Sequence, residues 1–210
     1  MSTQFSYNKF KFDLSFEAVG DPVVVNQGKT VTLLYLVHDS DPENPLDSDN
    51  WEGNGKIFTL YRHATESERE MCLHHQKRST VNGVILDCYQ HSGTTWSISG
   101  TGMRCPFDTA PAAGVWIPDA VLLKEIDRKV RTEGIPRREA VLTFAKQALD
   151  LYNSWLNGEV YGIVQEVFEL GSCGHYHLND EASERAWGYY GYSEATEELN
   201  RVSPAVDVAA

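Results

Sequence analysis

His91, Ser92, Cys105 and Asp108 fall close together in the segments Tyr89-Gln90-His91-Ser92-Gly93 and Cys105-Pro106-Phe107-Asp108. An imidazole can take a proton, a hydroxyl or thiol can attack once deprotonated, and a carboxylate can orient the imidazole. A hydrolase or transferase centred on His91, Cys105 and Asp108 is therefore one chemistry these residue types allow. No nucleophile elbow or other catalytic spacing surrounds them, however. The plainer reading makes His91-Ser92-Gly93 a turn between two strands, with Gly93 supplying a positive φ. Cys105 is then a small apolar filler and Asp108 an acceptor of backbone N–H groups. The spacing favours that reading, which assigns no catalytic residue.

Cys173-Gly174-His175-Tyr176-His177 carries the donors Cys173, His175 and His177, and positions two apart on a strand share a face, so a transition ion has a weak candidate site there. His74-His75 is an adjacent pair of the kind found solvated in loops. No cofactor is expected from these patterns. The acid-rich run after His38 lacks both the glycine and the terminal bidentate glutamate of a calcium loop. The glycines at 158–162 and 188–191 lack the lysine and the strand-to-helix setting of a phosphate loop.

Charge is the strongest signal. With 30 acidic and 18 basic residues the chain carries −12, which opposes direct contact with nucleic acid or anionic lipid. The acids are segregated. Residues 38–54 hold Asp39, Asp41, Glu43, Asp47, Asp49 and Glu52 with no Lys or Arg. Residues 159–200 hold Glu159, Glu166, Glu169, Asp180, Glu181, Glu184, Glu194, Glu197 and Glu198 against Arg185 alone. Residues 118–150 instead mix seven basic with six acidic groups. Solubility accounts for acidity in most proteins. Segregated acidity also allows a sharper reading, in which the carboxylates imitate a polyanion and occupy the basic groove of a nucleic-acid-binding protein.

The elements that must position these residues follow from periodicity. Phe10, Phe12, Leu14 and Phe16 alternate with polar residues as a half-buried strand, and Val31 to Val37 is a second apolar run. The two prolines and six acids of 38–54 make an exposed loop. Lys56 to His63 reads as a strand and Glu66 to His75 as a short helix with acids in its first turn. Val84 to Tyr89, Thr94 to Ile98 and Gly114 to Ile117 read as strands. A helix over about 118–131 ends at Gly134. A second over about 136–157 shows Val141, Phe144, Ala145, Ala148, Leu151, Tyr152 and Trp155 at helical spacing. Glu159 to Leu170 returns to a strand, 171–183 reads as a loop, and Ala186 to Gly191 as a short aromatic strand. Ser193 is expected to cap a last helix. The expected architecture is α+β: a mainly antiparallel sheet with the 118–131 and 136–157 helices packed on one face, in one domain over 1–202 with a flexible tail at 203–210.

No run of roughly 20 apolar residues is present for a membrane helix, and Met1 to Ser6 lacks a basic region followed by an apolar one. Cys72, Cys88, Cys105 and Cys173 are widely spaced without a C-x-x-C pair, which fits reduced thiols in a cytoplasm.

His38-Asp39-Ser40-Asp41-Pro42-Glu43-Asn44-Pro45, Tyr89-Gln90-His91-Ser92-Gly93, Cys105-Pro106-Phe107-Asp108, Gly158-Glu159-Val160-Tyr161-Gly162 and Trp187-Gly188-Tyr189-Tyr190-Gly191 stand in that order. In them the chain resembles an uncharacterised family of small phage, plasmid and mobile-element proteins. Its motifs read D-x-E-N-P-R-x-W-D-N-L-G, Y-D-H-S-G, C-P-W-D-S-G, G-x-V-Y-G and C-W-G-F-Y-G. Gln90, Phe107, Thr109-Ala110 and Ala186 depart from that pattern, so a catalytic role is not carried over to them. The resemblance implies a genomic setting in which small acidic accessory proteins counter host defences.

Together these readings lead to an expected acidic accessory protein in the cytoplasm of a bacterial host. It would bind and inhibit a nucleic-acid-directed defence complex of the host by DNA mimicry, in the manner of an anti-CRISPR or anti-restriction protein. Its contact surface would be Asp39, Asp41, Glu43, Asp47, Asp49 and Glu52 together with Asp180, Glu181, Glu184, Glu194, Glu197 and Glu198, acting on the basic surface of the partner. The hydrolase or transferase is the alternative, and a phage structural or assembly component a second.

Overall fold

The computed structural model describes residues 3–47, 52–61, 64–77 and 82–203. The chain enters with strands β1 (Thr3–Tyr7), β2 (Phe10–Leu14), β3 (Val19–Asn26) and β4 (Thr30–His38). It continues through β5 (Lys56–Thr59), α1 (Glu66–Lys77), β6 (Val84–Gln90), β7 (Thr94–Ile98), β8 (Thr109–Ile117), α2 (Ala120–Glu133) and α3 (Arg137–Leu156). It closes with β9 (Val160–Leu170), β10 (Tyr176–Tyr190) and α4 (Tyr192–Val202). The expected α+β class with antiparallel sheets is observed. The elements form two compact units, a terminal one of residues 1–42 and 158–210 and a central one of residues 43–157.

In the terminal unit the sheet runs β10-β9-β4-β3. The unbroken apolar run of β4 is explained by burial on both faces. Val31, Leu33, Tyr35 and Val37 pack with Phe12 and Leu14 of the β1–β2 hairpin, while Leu34 and Leu36 pack with Tyr161, Ile163 and, from α4, Ala195 and Leu199. A fully buried Leu or Val contributes about 1.5–3 kcal/mol, so this one strand anchors both layers. β10 corrects the sequence reading: the presumed loop of 171–183 and the short aromatic strand are largely one long edge strand, broken by register shifts between Asn179 and Glu184 and between Ala186 and Tyr189. Such irregularity and charge blunt a free sheet edge. The last helix is entered through Gly191 with no side-chain cap, so Ser193 is not its cap.

The central unit's sheet runs β5-β8-β6-β7, with the α2–α3 pair packed on it as expected. Val84, Leu86, Cys88, Trp96 and Trp116 meet Ile126 of α2 and Ala140, Val141, Ala145 and Ala148 of α3, the alanines allowing close approach. Asp119 caps α2, its Oδ1 accepting the Leu122 N–H at 2.8 Å, and Gly134 ends the helix in the left-handed region at φ 67°. Thr65 and Glu68 form a reciprocal capping box at α1. The free edge of β7 is closed by side chains: Asn153 accepts the Trp96 N–H at 2.8 Å and donates to the Trp96 C=O at 2.9 Å, and Asn157 donates to the Thr94 C=O. The β5 strand spans Lys56–Thr59, with Leu60 and Tyr61 outside it, and the last two residues of the expected reach, Arg62 and His63, lie outside the described residues. Among the described residues no helix is long and apolar enough to cross a membrane.

Candidate functional site

His91-Ser92-Gly93 does form the turn between β6 and β7, closed by the His91 N–H donating to the Gly93 C=O. The positive φ belongs to Ser92 at 58°, not to Gly93. A Cβ at Gly93 would lie 2.7 Å from Asn157 Oδ1, so a larger residue there would push the exposed Asn157 amide aside.

The knuckle folds on itself. The Cys105 N–H donates to Thr109 Oγ1 at 2.9 Å and the Thr109 N–H to the Cys105 C=O at 3.0 Å, while the Gln90 N–H donates to the Asp108 C=O at 2.8 Å. The last bond draws the knuckle against the turn. It leaves Asp108 Oδ2 3.2 Å from Cys105 Sγ and 3.5 Å from His91 Nδ1.

The fold thus brings His91, Cys105 and Asp108 together, in the order thiol, carboxylate, imidazole. Activated nucleophiles touch their base directly, whereas this carboxylate stands between them. The His91 side chain is 69% exposed. The adjoining cavity of about 240 Å³ is lined by Tyr61, Cys88, Gln90 and Phe107 to Ala110, without His91 or Cys105.

Asp87, buried at the β6 centre, holds this arrangement in place. Its Oδ1 accepts the Ala112 N–H and its Oδ2 the Gly100 N–H, both at 2.9 Å, so one carboxylate pins both ends of the 100–112 segment that carries the knuckle. Burial acts to raise its pKa, but the two N–H groups, the Ser99 side chain and the Arg104 charge together hold the carboxyl below the ordinary aspartate value. Asp119 is held low in the same way, against burial, by the N–H groups of Leu122, Gly53 and Gly55 among others. Burial pushes the Cys88 thiol up to about 11.

Of the proposed metal donors, Cys173 Sγ on the β9–β10 turn and His177 Nε2 at the start of β10 meet at 3.1 Å, both exposed. Among the described residues no three His, Cys, Asp or Glu side chains, His175 included, form a group able to hold an ion. All four cysteines are unpaired.

The acids separate by unit. The terminal unit carries 15 acidic and 5 basic residues, a net −10, and the central unit 15 and 13, a net −2. The central helices neutralise themselves through Arg128–Glu125, Lys129–Glu133, Arg137–Asp127 and Lys146–Asp150. In the terminal unit Glu181, Glu184, Glu194 and Glu197 are exposed, while Asp180 lies 3.9 Å from Arg185 and Glu198 is paired with Arg201. Glu184 lines a cavity with Val202, which sets it on the α4 side of the sheet with Glu194 and Glu197. The acidic run of 38–54 is divided at the unit boundary: Asp39 and Asp41 belong to the terminal unit, Glu43, Asp47 and Glu52 to the central one. The Asp39 carboxylate also accepts the Asp41 N–H in a local turn. Asp49 lies outside the described residues.

Glu166 corrects the sequence count of surface acids. It is fully buried, alternating with Val164 and Phe168 on the hairpin side of β9, and its Oε1 accepts the Ser15 N–H at 3.1 Å. Its Oε2 and the buried Tyr35 hydroxyl face one another without a hydrogen bond of good geometry. Burial first, and then the Glu166 carboxylate, drive the Tyr35 phenol well above its usual range. The alternation Val164-x-Glu166-x-Phe168 was the signal available in the sequence.

Comparison of the chain with protein-family models, with curated proteins and with solved structures finds no match.

Proposed function

We propose that the protein acts by binding a basic partner, presenting its terminal unit as a polyanion to the nucleic-acid groove of a host defence complex of the anti-CRISPR or anti-restriction type. The single observation that supports this reading is the division of charge, −10 on one compact unit and −2 on the other. A need for solubility alone gives no reason to concentrate the charge on one unit. The edge strand β10 and helix α4 supply exposed carboxylates on a scaffold fixed by two packed layers, which suits recognition without rearrangement. The experiment is capture from a bacterial host lysate on the immobilised chain at low and high salt, followed by displacement with duplex DNA. Nucleic-acid-binding proteins that are released by salt and by DNA support the proposal; recovery of none counts against it.

The contact of Cys105, Asp108 and His91 favours a second reading, a hydrolase or transferase using the thiol. It requires the exposed imidazole to swing past the carboxylate to the sulfur. It predicts acyl transfer or hydrolysis with a simple thioester that Cys105→Ala abolishes; activity surviving that substitution contradicts it.

A further inference from the structure

The terminal unit holds an open cavity of about 440 Å³ lined by Phe16, Glu17, Ala18, Val19, Val37 and His38. Its size falls within the range that takes a small organic ligand or a long side chain. We infer that this cavity receives an arginine side chain of the basic partner, an assignment that rests on the polyanion reading above and names the group recognised.

Three observations carry it. The walls are mixed in the way an arginine demands. Phe16, Ala18 and Val19, each half-buried, offer apolar surface for the methylene stem over the buried Val37, and Glu17 offers an exposed carboxylate for the planar fork. Among the described residues no cation pairs with Glu17. The lining residue His38, its ring tilted at 35° against Tyr161 with centroids 4.9 Å apart, is followed directly by Asp39 and then, past Ser40, by Asp41, so the acidic segment begins where the cavity ends.

The Phe16 ring is also already a guanidinium platform: the Arg185 guanidinium lies over it at 5.2 Å, with the Trp187 edge packed against the same ring at 5.7 Å. Arg185 is itself drawn towards Asp180 at 3.9 Å and does not line the cavity.

The unit's net −10 repels an anionic occupant. Lysine is the poorer cation here, because its compact ammonium is strongly hydrated and cannot bind a carboxylate through a fork or stack on an aromatic face as guanidinium does.

The test is a titration of the whole chain with N-acetyl-arginine methylamide, followed by amide shifts in ¹H–¹⁵N spectra, with the lysine and norleucine analogues as comparators. The arginine probe is expected to shift the Glu17, Ala18, Val37 and His38 amides saturably, with lysine several-fold weaker and norleucine silent. Glu17→Gln, at an exposed position, should weaken the arginine response about tenfold through loss of one charge-assisted contact. Equal responses to lysine or norleucine, shifts confined to α4 and β10, or an undiminished response in Glu17→Gln would overturn the assignment. Loss of the arginine response with salt-dependent capture intact removes the cavity and leaves the polyanion reading standing. A persisting response without capture does the reverse.

Discussion

Replacing Asp87 by alanine should loosen the whole 100–112 segment, because no other described side chain accepts both the Gly100 and the Ala112 N–H. Hydrogen bonds to a charged acceptor contribute roughly 1.5–3 kcal/mol each, which sets an upper figure of about 6 kcal/mol. Gly100 is exposed and Ala112 half-buried, so both donors recover water once released. The expected cost of Asp87→Ala is therefore about 2–3 kcal/mol, and of Asp87→Asn, which keeps one acceptor oxygen, about 1 kcal/mol. At a urea slope near 2 kcal/mol/M the alanine variant moves the midpoint down by roughly 1 M, read by fluorescence of the buried Trp96 and Trp116. The Cys105 thiol should also react faster with a disulfide reagent in Asp87→Ala, since the knuckle that folds over it loses both anchors.

The pH dependence has the same origin. Asp87 and Asp119 both have folded-state pKa values below their unfolded ones. Their contribution is complete above the unfolded value of about 3.9 and is lost as pH falls through the lower folded values. Asp87→Asn should flatten that acid limb. An unfolding free energy for Asp87→Ala within about 0.5 kcal/mol of the parent, with an unchanged acid limb, would refute the reasoning.

Other consequences follow from single contacts. Asn153→Asp keeps the acceptor for the Trp96 N–H but sets a carboxylate oxygen against the Trp96 C=O that Asn153 now serves at 2.9 Å. Its folded pKa should therefore rise, and the variant should match the parent in stability only in acid, then lose roughly 1–3 kcal/mol as pH climbs past about 4, by thermal melting at pH 3 and pH 7. Gly162→Ala places a methyl 2.3 Å from the Trp187 ring, so Trp187 must lift from the sheet, which a red-shifted emission would report. Glu68→Ala removes the capping-box acceptor of the Thr65 N–H and should cost about 1 kcal/mol, by urea titration.

Much of the architecture was legible in the sequence because burial leaves a period. The helices expected at 118–131 and 136–157 are found at Ala120–Glu133 and Arg137–Leu156, since each has one apolar stripe against one sheet. The strand at β4 was legible as an unbroken apolar run because both its faces are covered. β10 was not: as an edge strand with two register shifts, it alternates poorly, and its polar residues read as loop. Of the candidate site, the motif pair at 91 and 105–108 pointed to residues that do meet, but their order, with the carboxylate in the middle, depends on the Gln90–Asp108 backbone bond that no local pattern encodes. The role of Asp87 is invisible for the same reason, because its partners come from two other segments. Counting acids along the chain found their clustering, yet not that Glu166 is buried or that the acidic run of 38–54 is shared between two units.

The central claim is that the surface charge of one unit makes the contact, and neutralising equal charge on each unit tests it most directly. Glu184, Glu194 and Glu197 of the terminal unit, and Glu66, Glu70 and Glu139 of the central unit, are all exposed. The partner captured in the DNA-displaceable fraction is titrated against both triple Gln variants over a range of salt concentrations. The account predicts weaker binding and a shallower salt dependence for the terminal-unit variant, with the central-unit variant close to the parent. Equal effects from the two variants, or no change in the salt dependence of either, would contradict it.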